Sequence, residues 1–371
     1  MVVNDQKFMN HALFLAKKGR FTTSPNPNVG CVIVSNGIIV GDGFHSKSGA
    51  PHAEIYALQK AGKKANGGTA YITLEPCSHY GKTPPCVNAL INAGIRRVVV
   101  ALKDPNPNVS GRGLVQLQKA GIEVVYGLLM DKAEQLNLGF LKRMRTGFPY
   151  VQLKLATSLD GKTALASGDS KWITSLNSRK DVQKLRAQAS AILTTSVTVL
   201  ADNPILNVRW TDFPNKLKNI YPKNKIRQPI RIILDSKNQV NPEHLITQTN
   251  SPCWLIRPNP ILQHWSNNVE QIVIPKYKKR INLIILMIQL AKRDINSILV
   301  ESGPTLASAL LKLDLIDELI IYISPKILGE KARELINIPE LKKLKDAPKF
   351  KFINIKLLGP DLRVKLRPLR K

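Results

Sequence analysis

His52-Ala53-Glu54, followed by Glu75-Pro76-Cys77 and then by Cys86, is the part of this chain whose residue types and spacing could do chemistry. One imidazole and two thiolates are three ligands for Zn²⁺, one fewer than a closed structural site uses, so a fourth position is left for water. Glu54 lies two residues from the histidine and is not needed as a ligand, so its carboxylate can take a proton from that water and pass it to a leaving amine. The chemistry expected is hydrolytic deamination. Taken singly, a histidine is an ordinary core or surface residue and a cysteine a small buried hydrophobe. Here they occur in order, with a proline directly before the first cysteine. Eight residues separate Cys77 from Cys86, more than the two of a Cys-x-x-Cys clip. That loop carries His79, Lys82 and Pro84-Pro85 over the site, where they could touch an anionic substrate.

The elements that must position these residues alternate. Phe8 to Lys18 has helical spacing and stops at Gly19, and Val29 to Ser35 and Ile38 to Gly43 flank Asn36-Gly37, a strong hairpin signal. Pro51 is expected to open a helix carrying His52 and Glu54 in its first turn. Thr69 to Leu74 reads as a strand, and Pro84-Pro85-Cys86 starts a helix through Ala93-Gly94. Both ligand segments therefore sit where a helix begins, where backbone N–H groups favour thiolate. Strands at Arg97 to Leu102 and Ile122 to Tyr126, around a helix near Leu114 to Ala120, complete an expected α/β/α sandwich.

Near Thr146-Gly147-Phe148-Pro149 the pattern resets, which predicts two domains, 1–147 and 148–371. Strands at Tyr150 to Ala156, Ala191 to Thr194, Ile230 to Asp235 and Ser297 to Glu301, a helix at Ser178 to Gln188, and a final strand pair at Glu318 to Ile323 and Leu362 to Leu366 make a second α/β domain. In Glu301-Ser302-Gly303-Pro304-Thr305 a strand ends, a glycine turns the chain and a proline opens a helix, a phosphate-binding arrangement. No G-x-G-x-x-G follows a strand, so a conventional dinucleotide fingerprint is not present.

The formal charge of +29 invites a nucleic-acid reading, but the excess is spread, net +10 in residues 1–147 and +19 in the rest. Stretches such as Lys216 to Lys225 and the tail from Lys351 to Lys371 look like compositional drift, and neither nucleic acid nor membrane is an expected partner. No apolar leader follows Met1, and the longest apolar run, within Ile281 to Leu290, reads as a buried helix. Four cysteines, two assigned to metal and two (Cys31, Cys253) in apolar strand-like segments, argue against disulfides and for the cytoplasm.

Ser24-Pro25-Asn26-Pro27-Asn28-Val29-Gly30-Cys31, Pro51-His52-Ala53-Glu54, Thr73-Leu74-Glu75-Pro76-Cys77-Ser78-His79, Gly81-Lys82-Thr83-Pro84-Pro85-Cys86 and Asp104-Pro105-Asn106-Pro107 resemble the deaminase half of the bifunctional riboflavin-biosynthesis deaminase/reductases. Leu153 to Lys162, Val199 to Pro204 and Glu301 to Leu306 resemble their reductase half. The resemblance covers nearly the whole chain. It implies a cytidine-deaminase-like domain followed by a dihydrofolate-reductase-like α/β domain, with Zn²⁺ and NADPH as cofactors. It also implies a phosphorylated pyrimidine nucleotide as substrate, deaminated first and then reduced at its ribosyl side chain, and a homo-oligomeric enzyme, a dimer being favoured. By similarity Asn26, His45 and Lys82 hold the first substrate. Ala156, Trp172, Thr198, Asp202, Ser236 and the turn Gly303, Pro304, Thr305, Leu306, Ala307, Ser308 and Ala309 lie against the nicotinamide cofactor. Lys154, Ser170, Arg186, Leu206, Arg209 and Glu301 lie against the second substrate, Arg186 and Arg209 being reasonable phosphate clamps.

Two other readings share the zinc residues. A tRNA-editing adenosine deaminase would use the basic charge on phosphates, but it leaves the second domain without a role and does not explain the long Cys77 to Cys86 loop. A zinc-stabilised nucleic-acid-binding module would have no use for Glu54.

Overall fold

The computed structural model describes residues 2–80, 84–106, 110–338 and 340–370. The chain divides into two compact units, Met1–Phe148 and Pro149–Lys371.

In the first unit the order is α1 (Val2–Ala16), β1 (Gly30–Ser35), β2 (Ile38–Phe44), α2 (Ala53–Ala61), β3 (Thr69–Ile72), α3 (Cys86–Asn92), β4 (Arg97–Val100), α4 (Arg112–Lys119), β5 (Glu123–Tyr126), α5 (Met130–Leu136) and α6 (Leu138–Thr146). Asn36 and Gly37 both take left-handed conformations, φ 49° and 78°, and close the β1–β2 hairpin as the Asn-Gly pair predicts. The five-stranded sheet has the order β2-β1-β3-β4-β5. The first three strands pair antiparallel and the last three parallel. Period-two alternation sends Cys31 and Ile33 to one face, where they pack with α2, α3 and α4, and Val32 and Val34 to the other, with α1, α5 and α6. The layers are those of an α/β/α sandwich.

One seam in this unit sets the position of the chemistry. A Cβ on Gly41 would lie 2.1 Å from the Ala57 carbonyl oxygen, and one on Gly43 2.6 Å from that of Ala53. Bare glycines on β2 and alanines on α2 thus let strand and helix backbones touch, fixing the height of the residues at the start of α2. His52 is the extended N-cap of α2 (φ −74°, ψ 166°) and not part of its first turn, while Glu54 is within it.

The second unit runs β6 (Tyr150–Thr157), β7 (Lys162–Ala164), α7 (Leu176–Gln188), β8 (Ala191–Thr195), α8 (Ser196–Asp202), α9 (Asn215–Ile220), β9 (Ile230–Leu234), β10 (Cys253–Arg257), β11 (Val269–Val273), β12 (Lys276–Tyr277), β13 (Arg280–Ile281), α10 (Leu283–Lys292), β14 (Ser297–Glu301), α11 (Pro304–Lys312), β15 (Glu318–Ile323), β16 (Arg333–Glu334), β17 (Phe350–Leu358) and β18 (Asp361–Pro368). Its nine-stranded sheet has the order β11-β10-β9-β8-β14-β6-β15-β18-β17. Strands β11 to β15 of that order are parallel, and β18 and β17 are antiparallel additions. The carboxyl ends of β6, β8, β9 and β14 therefore open on one edge, the place where α/β sheets bind ligands. The basic tail contains a long strand, β17, that the sequence pattern did not predict. Its register shifts between Phe352 and Asn354, which breaks the period-two signal.

Cys31 and Cys253 are buried and free, as expected from their apolar strands. The apolar run near Ile281 forms α10, with Leu286, Met287 and Leu290 in the core. Among the described residues no helix is long and apolar enough to cross a membrane.

The α2–β2 seam predicts that Gly41→Ala displaces α2 at a cost of about 1–3 kcal/mol, the usual penalty of overpacking. Hydrogen exchange across Ala53–Ala61 should accelerate accordingly while exchange in the second unit stays as it was.

Candidate functional sites

His52, Cys77 and Cys86 converge in the first unit, with ligand atoms all within 4.8 Å of one another. His52 Nδ1 lies 3.5 Å from Cys77 Sγ and 3.3 Å from Cys86 Sγ. The N-cap of α2 supplies the imidazole and the first residue of α3 supplies Cys86, whose backbone N–H donates to Cys77 Sγ at 3.3 Å. The hydrogen bond from Cys86 is the largest influence on Cys77 and, with help from His52, pulls its pKa down to about 4, while Cys86 is pushed up. Glu54 is 3 % exposed and, among the described residues, its Oε2 has no hydrogen-bond partner. Burial, opposed by the charge of His52, raises its pKa to about 7. Two soft thiols and an imidazole fit the donor set of a zinc ion, and a buried carboxylate oxygen lies beside them.

Asn26 and His45 sit at the same place. His45 Nδ1 is 3.1 Å from the Pro51 carbonyl and Nε2 is 3.0 Å from Asn26 Nδ2, so the ring donates at one nitrogen and accepts at the other. Burial lowers its pKa, keeping it neutral. Its ring meets that of His52 edge to face at 5.3 Å. Asn28 of the same motif is structural: its N–H donates to Asn137 Oδ1 and its side-chain amide to the Leu136 carbonyl. Lys82 lies outside the described residues, and His79 is exposed.

Two residues before Cys77 is a residue whose role sequence reasoning missed. Glu75, 4 % exposed, accepts backbone N–H bonds from Asp104 (3.1 Å), Gly111 (2.9 Å) and Gly113 (3.0 Å). Its carboxylate thereby occupies the N-terminal end of α4, where the helix dipole favours negative charge. Gly113 is required for the fit, since a Cβ there would lie 2.4 Å from the Pro76 carbonyl oxygen. Asp104 holds the next turn by accepting the Asn106 N–H at 2.8 Å, and burial beside Glu75 and Cys77 lifts its pKa to about 6.

In the second unit a cavity of about 1080 Å³ opens at the carboxyl ends of β6, β8, β9 and β14. Nine Lys and Arg residues line it against two carboxylates, Asp202 and Glu301, so its field suits a polyanion. It gathers Lys154, Ser170, Arg186, Leu206, Arg209 and Glu301, together with Ala156, Trp172, Thr198, Asp202, Ser236, Gly303, Pro304, Thr305, Leu306 and Ala309. Ala307 and Ser308 do not reach it. Ala307 is on the fully buried face of α11, and the Ser308 hydroxyl donates to the Pro304 carbonyl and accepts the Asn337 N–H. Gly303 was expected to turn the chain, yet its φ is −75° and its ψ 179°, extended backbone open to any residue. What glycine leaves there is space, for nothing lies within 4 Å of where its Cβ would be.

The two expected phosphate clamps differ. Arg186 donates from Nε (2.6 Å) and Nη2 (3.0 Å) to the Glu301 carboxylate and from Nη1 to the Asn207 carbonyl (3.0 Å). It anchors Glu301 more than it offers itself to a free anion. Burial alone would raise the Glu301 pKa; the Arg186 charge and hydrogen bonds, with Lys154, outweigh it and hold the carboxyl below its ordinary value. Burial also lowers the Lys154 pKa, against the pull of Glu301. Arg209 uses Nε on Asp212 at 2.7 Å, lines the cavity and has a side chain 48% exposed. Two further lining residues had no motif to mark them: Arg179, stacked 4.2 Å over the Trp172 ring, and Tyr322, whose hydroxyl donates to buried Asp181 at 3.0 Å.

Residues 149–364 match the family model described as the RibD C-terminal domain, and residues 2–102 that of the cytidine and deoxycytidylate deaminase zinc-binding region. The riboflavin biosynthesis protein RibD of Escherichia coli is 58% identical over 360 residues, covering 97% of this chain and 98% of that one. That of Haemophilus influenzae is 54% identical over 366 residues, covering 98% and 97%. Among solved structures, Acinetobacter baumannii RibD superimposes with a TM-score of 0.91 at 43% identity over 100% of both chains. A diaminohydroxyphosphoribosylaminopyrimidine deaminase/5-amino-6-(5-phosphoribosylamino)uracil reductase from Thermotoga maritima does so with 0.87 at 35% identity over 99% of both.

Because Glu75 supports the Cys77 segment through three N–H bonds, Glu75→Gln should cost about 2 kcal/mol, the order expected for hydrogen bonds to a buried charge. Zinc release to a chromogenic chelator should be correspondingly faster than from the unsubstituted protein.

Proposed function

The chain belongs to the bifunctional riboflavin-biosynthesis deaminase/reductase family, and from that premise we propose how its residues divide the work. It is a zinc-dependent deaminase and an NADPH-dependent reductase: 2,5-diamino-6-ribosylamino-4(3H)-pyrimidinone 5′-phosphate loses its 2-amino group, and the ribosyl side chain is then reduced to ribityl. We assign the first reaction to residues 1–147 and the second to residues 148–371.

His52, Cys77 and Cys86 hold zinc, a reading supported by the convergence of their ligand atoms. Zinc, when bound, supplies Lewis-acid activation of water for hydrolysis at neutral pH. Glu54 receives the proton at its orphaned Oε2 and returns it to the departing ammonia. A carboxyl held near neutrality is suited to both halves of that transfer. Asn26 and His45 orient the pyrimidine, supported by their mutual hydrogen bond and the ring contact with His52, and Lys82 holds the phosphate.

In the reductase, NADPH supplies the hydride that reduces C1′ of the ribosyl group. The cofactor lies against Ala156, Trp172, Thr198, Asp202, Ser236 and the turn from Gly303 to Ala309, within which Ala307 and Ser308 serve the helix and not the ligand. Gly303 leaves room for a backbone approach to the pyrophosphate at the start of α11. Lys154, Ser170, Arg186, Leu206, Arg209 and Glu301 hold the substrate, Arg209 taking its phosphate and Arg186 fixing the Glu301 carboxylate. The charged interior of the cavity is the observation that carries this reading.

We also propose a cytoplasmic homodimer that uses no nucleic acid. The β17 strand supports the dimer, with Phe352, Ile355 and Leu357 exposed by 63%, 56% and 72% at the edge of the sheet. Light scattering at twice the monomer mass is the expected result. A tRNA-editing adenosine deaminase is not favoured, since residues 149–364 match a reductase-family domain that such an enzyme leaves idle.

Glu54→Gln should retain zinc and lose deamination by roughly 10²–10⁴-fold, while NADPH oxidation persists when the deaminated intermediate is supplied. Glu301→Gln should do the reverse, and chelation should abolish ammonia release alone. Loss of both activities together in either variant, with the fold intact, would refute the partition.

A further inference from the structure

Lys154 is a half-buried cation on the cavity wall, and its ammonium makes no hydrogen bond or ion pair among the described residues. Register sets it opposite Glu301 on β14 and Ile320 on β15. The charged groups that face it, Glu301 from β14 and Arg186 from α7, are already joined to each other. What its ammonium meets is an aromatic face: Nζ lies over the ring of Tyr322 on β15, 6.0 Å from the centroid. Tyr322 stands opposite Ala156, two residues on from Lys154, so lysine and ring are diagonal neighbours on one face of the sheet.

That ring is anchored through its hydroxyl. The Tyr322 O–H donates to Asp181 at 3.0 Å, and the same carboxylate accepts from Arg363 Nη1 at 2.7 Å and Lys184 Nζ at 3.1 Å. Arg363 is the register partner of Tyr322 on β18, and Lys184 follows Asp181 by one turn of α7. Burial would raise the Asp181 pKa; Arg363 and Lys184 outweigh it and hold the carboxyl below its ordinary value, so the acceptor is an anion. Burial and the Asp181 charge push the Tyr322 phenol well up, so it stays a donor. A phenol that donates to a carboxylate is drawn toward phenoxide, and the added electron density strengthens the attraction of its ring face for a cation.

We propose that Tyr322 is a positioning residue of the reductase: its ring, fixed by Asp181, keeps the Lys154 ammonium charged and in place on the cavity wall with its N–H donors left for the substrate. The inference rests on the reading of Lys154 as a substrate contact. An ion pair would hold the lysine too, but it would occupy those donors; a ring face attracts the charge without a directed bond. Tyr322 is itself fully buried, so it acts on a ligand through the residue it supports. Without the ring a partly desolvated ammonium has no compensating contact, which favours its neutral form.

The test is competitive acetylation of the full-length protein with acetic anhydride. The rate at Lys154, read across pH by peptide mass spectrometry, gives the midpoint at which its amine becomes neutral. Tyr322→Leu should move that midpoint down by about one pH unit, the size of a desolvated contact between cation and ring. Tyr322→Phe should restore most of the difference. Fluorinated phenylalanines at position 322 keep the shape of the ring while withdrawing electron density from its face. They should lower the midpoint stepwise with an unchanged circular dichroism spectrum, and they decide the matter where Tyr322→Leu does not fold. In NADPH oxidation with the deaminated intermediate, KM should rise in the same order, at least about fivefold for Tyr322→Leu. A midpoint indifferent to the ring overturns the proposal, as does one that moves while KM and kcat stay as they were. A failure of the unsubstituted protein to oxidise NADPH overturns instead the reductase reading on which the proposal rests.

Discussion

A carboxylate withdrawn from water must be given other hydrogen bonds, and that requirement organises both sites of this protein. Glu75 is satisfied by three backbone N–H groups from a following loop and helix, which fixes the segment that ends in Cys77. Glu301 is met by the fork of Arg186, and Asp235 by Arg257 and two backbone N–H groups. Asp361 accepts from Ser175 and Ser178 and ties the start of α7 to β18. None of these pairings is valuable chiefly as net stability, since an ion pair out of water roughly cancels its own desolvation. Their effect is to specify where loops go. Glu54 is the exception: among the described residues its Oε2 has no hydrogen-bond partner, and this buried oxygen lies beside the His52, Cys77 and Cys86 cluster, as the proposed proton transfer requires.

Each unit then puts its ligand groups where helices begin, after the carboxyl ends of strands or directly against them. In the first, close contact between Gly41, Gly43 and the alanines of α2 sets His52 and Glu54 to the height of the Cys77 loop. In the second, β6, β8, β9 and β14 end together and hand their following residues to one cavity. The strong basic excess of the chain takes on a local meaning there. Spread along the sequence it looks like drift, but nine of its cations face one cavity with two carboxylates, one of which is already matched to Arg186. A phosphorylated substrate and a cofactor with three phosphates are suited to that field.

Local signals carried far in this chain where they were strong. Asn36-Gly37 predicted its hairpin because left-handed residues close such a turn, and the order His, Glu, Pro-Cys, Cys singled out three residues whose ligand atoms converge, because few residue types suit a metal ion. They failed where a competing effect intervened: β17 was hidden by a bulge, and Gly303 was read as a turn when its contribution is empty space. Glu75 stood inside a quoted motif without a role, since its partners are backbone N–H groups 29 to 38 residues away and backbone groups leave no mark in sequence.

By itself the sequence determined which side chains were candidates for zinc and in what order, the alternation of strand and helix, and the break between two units, all of which depend on residue type and short-range periodicity. Tertiary structure alone decided which charges meet. Arg186 and Glu301 are 115 residues apart in the chain and Arg257 and Asp235 22, and whether a cation clamps a ligand or neutralises a buried acid depends on which strand ends lie side by side. Coulombic pairing is set by distance through space, and distance through space is what a linear pattern does not contain.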